Sequence, residues 1–425
     1  MNATVSHPAA TAIWRIEAPR LIAMLTRMVR DVALAEDIAQ EAFLEALQRW
    51  AASGVPDTPG AWLRTAARHR AIDVLRRARR LEQKHEELAW ASDGTVAADF
   101  DESLDDVVGD DLLRLVFVAC HPVLPEDARV ALTLRLLGGL STEEIARAFL
   151  VPEPTIAQRI TRAKRTLTEA RVPFELPRQE DLSARLASVL EVVYLVFNEG
   201  YSPTAGEAWI RVSLCEDALR LGRILAELVP DESEVHSLVA LMELQASRAG
   251  ARVGPGGEAV RLLVQDRTAW DALLVQRGLS ALVRAEAAVR ERPGPYLVQA
   301  AIAACHARAS TAEQTDWPRI AALYDALASL APSPVVELNR AVAHGAVFGP
   351  AAALVMVDRL ADEPSLRAYP FLPSVRADLL ARLGRHEEAQ RAIAQALALT
   401  RNERDRALLR ERSAEYARAA SEPSA

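Results

Sequence analysis

The chain has 425 residues, half of them hydrophobic and a quarter charged, which marks a packed globular protein of about three domains and excludes a disordered one. Aromatics are only 5%, and the prevalence of Ala, Leu, Arg and Glu favours helices, because these side chains lose little rotamer freedom against the helix wall. The net charge of −8 argues, taken whole, against a nucleic-acid partner, but the average conceals stretches of opposite sign.

Residues 1–80 carry 12 Lys/Arg against 8 Asp/Glu. Leu21, Met24, Leu25 and Met28 predict one amphipathic helix, and Ile38, Ala42, Phe43, Ala46, Leu47 and Trp50 predict a second. After the turn-rich SGVPDTPG at 53–60, a third helix over 61–80 sets Trp62, Ala66, His69, Ile72 and Leu75 near one face and carries seven arginines. Residues 81–111 hold 1 Lys/Arg against 11 Asp/Glu and read as a flexible, self-repelling acidic linker. Residues 112–178 are basic again, 10 against 7, and end in GLSTEEIARAFLVPEPTIAQRITRAKRTL (139–167). There Ser141 or Thr142 caps a helix with Glu144 in its first turn, Val151-Pro152 breaks the chain, and a second helix starts near Pro154-Thr155 with Ile156 and Ile160 inward. That is a helix-turn-helix pattern. From 179 to 425 the chain reads as periodic helices with short Pro/Gly breaks, and 374–400 resembles a tetratricopeptide repeat (TPR). Ala377, Ala389 and Ala396 allow close helix contact there, and Gly384 makes the turn. The expected fold is all-α: two small helical domains, the second with a helix-turn-helix, joined by an acidic linker and followed by a TPR-like helical-hairpin array.

Three sets of residues stand out chemically. On the second helix of the helix-turn-helix, Thr155, Gln158, Arg159 and Arg162 are placed for base edges, and Lys164 and Arg165 for phosphates. On the arginine-rich helix, Arg64, Arg68, Arg70, Arg76 and Arg77 flank Trp62 and His69, so cations can hold phosphates while aromatics and loop 53–60 receive an unstacked base. A solvated basic face is the plainer alternative for that helix. In the C-terminal part, Asn198, Glu199, Tyr201, Asp266, Arg267 and Trp270 mix polar and aromatic groups, as either a contact surface or a polar hinge between helices. Catalytic and metal readings have little support. No HExxH, GxSxG or GxxxxGK[ST] occurs, and Cys120, Cys215 and Cys305 lie far apart without CxxC. Neighbours such as Cys120-His121 and Cys305-His306 point about 100° apart on a helix, which hinders their sharing one metal ion. No cofactor, no metal and no enzymatic role are therefore expected. The N-terminal MNATVSHPAATAIW lacks a basic head and an apolar run, and no apolar window reaches membrane length, so a cytoplasmic protein without a membrane partner is expected.

The order of these motifs is similar to that of sigma-70-type RNA polymerase initiation factors of the extracytoplasmic-function (ECF) group. AEDIAQEAFLEALQRW (35–50) resembles the family's polymerase-binding helix, GAWLRTAARHRAIDVLRRARR (60–80) its promoter −10 reading and melting helix, and 139–167 its −35 reading helix-turn-helix. The resemblance covers roughly the first 175 residues; Leu150 and Pro154 stand where the family commonly has glycine. It implies core RNA polymerase and promoter DNA as partners, with Asp37, Gln40, Glu41, Phe43, Leu44 and Leu47 at the polymerase interface. It also implies domains at 1–80 (region 2-like), 112–178 (region 4-like) and 179–425. YLVFNEGYSPTAG (194–206) and LLVQDRTAWD (262–271), with the repeat-like tail, look like an ECF subgroup whose long TPR-like extension takes over regulation. A TPR-like groove takes a peptide or protein, and the net acidic tail can equally dock back on residues 1–178. The rival is a conventional helix-turn-helix regulator with a helical sensor domain, which leaves 35–80 without a purpose.

Overall fold

The computed structural model describes residues 7–86, 104–149, 151–203, 210–254 and 258–421. Among the described residues there is no strand, only an isolated bridge between Val253 and Ala259. The chain forms two compact units, 1–195 and 196–425.

The first unit opens with three mutually packed helices, α1 (His7–Val29), α2 (Val32–Ser53) and α3 (Pro59–Glu86). Their core is Leu21, Ile22 and Leu25 of α1, Ile38, Ala42 and Trp50 of α2, and Leu63, Ala67 and Ala71 of α3. The buried alanines let the helix backbones approach closely while Trp50 fills the remaining volume. Asp31 starts α2 by accepting from the Leu34 amide at 2.8 Å. Next come α4 (Leu104–Ala119), which packs on α1, then α5 (Glu126–Leu136), α6 (Thr142–Phe149) and α7 (Glu153–Glu169).

The linker expected at 81–111 is shortened from both sides, since α3 runs on to Glu86 and α4 begins at Leu104. Residues 87–103 of that expectation lie outside the described residues, as does Leu150 of the helix-turn-helix. Leu112, Leu113, Leu115 and Val116 bury α4, and Asp111 is carried inward with them. Its carboxylate is matched by Arg27 at 2.9 Å and Arg114 at 2.7 Å, so the end of the acidic run is neutralised rather than repelled. The boundary expected at 178/179 falls at the start of α8 (Gln179–Tyr201), and that helix runs through the division between the two units. Its first half belongs with α4 and α5: Arg185 donates to the Phe117 carbonyl at 2.6 Å and Ser188 to the Cys120 carbonyl at 2.8 Å.

The second unit continues from α8 through α9 (Val212–Leu228), α10 (Ser233–Ala246), α11 (Ala272–Ala287) and α12 (Pro295–Arg308). It then runs through α13 (Trp317–Leu330), α14 (Pro334–Phe348), α15 (Pro350–Arg359), α16 (Phe371–Arg382), α17 (His386–Leu399) and α18 (Glu403–Ser421). Most helices pack on their neighbours in the chain, the pattern of stacked hairpins. Helix α10 is buried almost all round, and its Glu234 accepts from the Tyr296 and Leu297 amides at the start of α12, at 3.0 and 3.1 Å. Gly384, at φ +74°, turns α16 into α17, a backbone conformation that costs a side-chain-bearing residue energy. Leu380, Ala389, Ile393 and Ala396 close that hairpin. Asn402, at the start of α18, donates to the Pro203 carbonyl at 3.3 Å, so the last helix returns to the beginning of the array.

The three thiols are buried, and burial pushes Cys120 up to about 11 and Cys215 up to about 12, which makes both unreactive at neutral pH. Among the described residues no cluster of His, Cys, Asp or Glu is placed to hold a metal ion, and no helix is long and apolar enough to cross a membrane.

His306 at the end of α12 gives a pH prediction. Burial, then Arg248 and Arg267, lower its pKa from 6.5 to about 4. The folded chain thus keeps the ring neutral where the unfolded chain protonates it. Its stabilising contribution is full above pH 6.5 and drains as pH falls toward 4, by up to about 1.4 kcal/mol per pH unit. Urea unfolding between pH 7 and 4 should show this slope reduced in His306→Gln, and an identical slope in the two proteins would refute the assignment.

Candidate nucleic-acid interface

The helix-turn-helix is built by a reciprocal cap and an apolar seam. Ser141 Oγ accepts from the Glu144 amide at 3.1 Å, and Glu144 Oε2 accepts from the Ser141 amide at 2.8 Å. Ile156, Ile160, Ala163 and Leu167 recur on the inner face of α7 and meet Ile145 and Ala146 of α6. That seam turns Gln158, Arg162 and Arg165 outward, with Thr155 and Arg159 half-buried beside them. Arg159 is held by Asp127 of α5 at 3.0 Å, and Arg165 by Glu169 at 2.6 Å.

Lys164 departs from the expected phosphate anchor. Its ammonium points inward to Glu36 of α2, 2.5 Å from Oε2. Glu36 is buried, and it also accepts from Arg135 Nε of α5 at 2.6 Å and from Gln40 Nε2 at 2.6 Å. Burial works to raise this carboxyl, but Lys164 and Arg135 outweigh it and hold it below the ordinary glutamate value. Two lesser contacts flank the triad: Arg15 of α1 pairs with Glu144 at 2.8 Å, and Thr168 of α7 donates to Asp31 at 3.3 Å. The first bundle is thereby bolted to the helix-turn-helix through ionic contacts. Removing one partner of such a buried group typically costs about 3–5 kcal/mol.

On α2, Asp37, Glu41 and Leu44 form an exposed row, Leu44 being 58% exposed. Phe43 lies against Trp14 with ring centres 4.8 Å apart, and Leu47 is half-buried. Gln40 is already engaged by Glu36. Between α2 and α3 runs a cleft of about 560 Å³ that includes Trp62, His69, Arg70 and Arg77. Trp62 is half-buried and edge-on to Trp50 at 5.6 Å, with the Arg49 guanidinium 5.8 Å from its ring. Arg70 corrects the expectation of an open cation, because it bridges Glu41 at 2.8 Å and Glu45 at 2.9 Å. Arg64 is likewise turned toward Glu17, at 3.6 Å. Arg68 is half-buried, while Arg76 and Arg77 stand exposed.

The C-terminal candidates are mainly struts. Asp266 caps a short turn by accepting from the Thr268 amide at 2.9 Å. Arg267 donates to the carbonyls of His306 and Ala309 and to the Thr315 hydroxyl, and Trp270 is buried beneath it. Glu199 pairs with Arg211 at 2.6 Å, Asn198 is half-buried, and Tyr201 lines a cavity. Arg267 and Trp270 are therefore internal supports, not an outer contact surface. The sequence reading missed Glu36 and Arg135. One signal was present, a glutamate beside Ala35, Ile38 and Ala39 on an otherwise apolar helix face.

Residues 13–81 match the family model described as Sigma-70 region 2, and residues 114–167 the one described as Sigma-70, region 4. Residues 185–286 match a family of unknown function, DUF6596. The chain is similar to an uncharacterized protein of Rhizobium meliloti, 44% identical over 404 residues and covering 92% of both chains. It is also similar to the probable ECF RNA polymerase sigma factor SigI of Mycobacterium tuberculosis, 29% identical over 166 residues, 39% of this chain and 57% of that protein. With the ECF RNA polymerase sigma-E factor of Haemophilus influenzae it shares 32% identity over 151 residues, 34% of this chain and 78% of that one. No solved structure matches the chain.

The ion triad predicts that Glu36→Gln raises hydrogen exchange in α2 and α7 together, by at least about tenfold, since even 1.4 kcal/mol is a factor of ten. Arg165→Ala, on the outer face, should leave both helices unchanged. Unaltered protection in Glu36→Gln would show that apolar packing alone holds the two parts together.

Proposed function

We propose a working arrangement from one premise: the chain belongs to the extracytoplasmic-function (ECF) group of sigma-70-type RNA polymerase sigma factors. It is a DNA-binding sigma factor that directs transcription initiation, not an enzyme, and its family implies core RNA polymerase and promoter DNA as partners.

In the proposed arrangement, the exposed row Asp37, Glu41 and Leu44 of α2 docks on core polymerase, with Phe43 and Leu47 supporting it from the half-buried side. The outer face of α7 reads the upstream element as duplex, with Thr155, Gln158 and Arg162 toward base edges and Arg165 toward the backbone. The observation that carries this reading is the α6–α7 pair, whose apolar seam leaves Gln158, Arg162 and Arg165 together on the solvent side. Trp62 and His69, with Arg76 and Arg77 nearby, receive the downstream strand after it leaves the stack. Unstacking costs on the order of a few kcal/mol and is offset by pocket contacts and released counterions. In the described arrangement Glu36 ties α2 to α5 and α7. We infer that this contact opens when polymerase takes hold, which frees Lys164 for DNA. The C-terminal unit sets how readily that happens.

Run-off transcription with core polymerase tests the assignment. Asp37→Ala with Leu44→Ala should reduce transcript without changing DNA binding by the isolated chain. Arg165→Ala should flatten the slope of log K against log salt by about 1, the mark of one lost phosphate contact, whereas Arg162→Ala should weaken affinity for the promoter sequence and leave the slope unchanged; the reverse pattern would exchange the two roles. A truncation that tests the C-terminal unit should end after Leu195, since a cut at Arg178 also removes Arg185 and Ser188 from the first unit. DNA binding without any polymerase binding would move the assignment to a conventional regulator.

A further inference from the structure

Within the C-terminal unit, the beginning and the end of the helical array line a half-open cavity of about 390 Å³. Four guanidinium groups line it: Arg248 and Arg252 just beyond α10, Arg261 in the following loop, and Arg412 of α18. The acidic side chain among its walls is Asp405, whose carboxyl burial holds above the ordinary aspartate value. Even with Asp378, which pairs with Arg412 at 3.3 Å, cations outnumber anions around this half-open cavity, an arrangement that self-repulsion and desolvation both disfavour.

The arginines are also held ready by their surroundings. Arg252 lies over the Tyr201 ring, 4.0 Å from its centre, and donates to the Tyr201 carbonyl. Arg248 sits 5.8 Å from the same ring and 5.7 Å from that of Trp270. Arg412, 9% exposed, is fixed by Ser374 Oγ at 2.9 Å and Tyr416 Oη at 2.8 Å. Three buried polar atoms of the lining nevertheless lack a hydrogen-bond partner: Arg248 Nε, Arg412 Nε and Gln265 Oε1. Buried polar atoms are normally satisfied, so a group of orphans in one cavity wall points to a ligand. Tyr201, Leu262, Phe371 and Leu409 give the lining an apolar part.

We propose that this cavity binds a small organic anion, a carboxylate or phosphate carried on an apolar body. Guanidinium forks match the paired oxygens of both acids, and the volume lies in the range of small-molecule sites and is too small for a folded partner. Because the walls come from α8, the segment after α10, α16 and α18, an occupant ties the last helix to the first and stabilises the closed array by mass action. The inference does not rest on the role in initiation, and its test measures binding alone.

Hexanoate and phenyl phosphate, titrated into the full-length chain by calorimetry with melting temperature as a second readout, should both bind and raise the melting temperature. Hexanamide, of the same shape without the charge, should bind at least about tenfold more weakly. Arg261→Gln, an exposed position, should weaken both anions by about tenfold with the fold intact, and Arg248→Gln should do the same. Equal affinity for hexanoate and hexanamide, no binding of either anion, or unchanged affinity in both variants overturns the proposal.

Discussion

A single buried carboxylate fixes how the first half of this molecule is put together. Glu36 sits on the core-facing side of α2, where an unpaired charge would be prohibitively costly, and it is made tolerable by Arg135 and Lys164 converging from two other helices. The triad converts a desolvation problem into a connection between the first bundle and the helix-turn-helix. Apolar packing alone specifies geometry less sharply, since a hydrophobic surface tolerates sliding that three converging charged groups do not. The same bond and the apolar seam together set the rotation of α7 about its axis. With Lys164 inward, Gln158, Arg162 and Arg165 must face out.

The arginines show how little a charge count says about use. Arg135 is spent on that connection, Arg70 ties α3 to α2 and Arg64 turns from α3 toward α1 through carboxylates, and Arg162 stands exposed on the outer face of α7. In the C-terminal unit, Arg267 closes the end of α12 by donating to the His306 carbonyl and to that of Ala309 just beyond it, a role that its several fixed donors allow and that a lysine ammonium fills poorly. Arg185 binds the Phe117 carbonyl in the same way, so several cations of this acidic chain serve backbone groups at helix ends.

The C-terminal unit solves a different problem. An array of hairpins leaves an apolar face open at each end. Here α18 covers one end and comes back to the start through Asn402 and the Pro203 carbonyl, so the array closes on itself around a charged, half-open cavity. Glu234 gives the same unit a cap that crosses from α10 to α12, which satisfies two amides that no nearby side chain of α12 reaches.

The sequence by itself determined the features that depend on near neighbours. The amphipathic helices, the reciprocal cap of Ser141 and Glu144, the inward Ile156 and Ile160, and the turn at Gly384 all follow from residues within about one or two helical turns of each other. The motif order of the first 175 residues was legible for the same reason. Tertiary structure alone decided which charged side chains meet. Glu36 and Arg135 are 99 residues apart, Arg15 and Glu144 are 129 apart, and Asn402 finds a carbonyl 199 residues away. Periodicity assigns a residue to a face of its helix but not to a partner across the fold, and so nothing near Lys164 in the chain shows that it meets Glu36 of α2. The cavity was hidden for the same cause: Arg248, Arg252 and Arg261 lie near one another in the chain, but only the return of α18 brings Arg412 and Asp405 to them around one space.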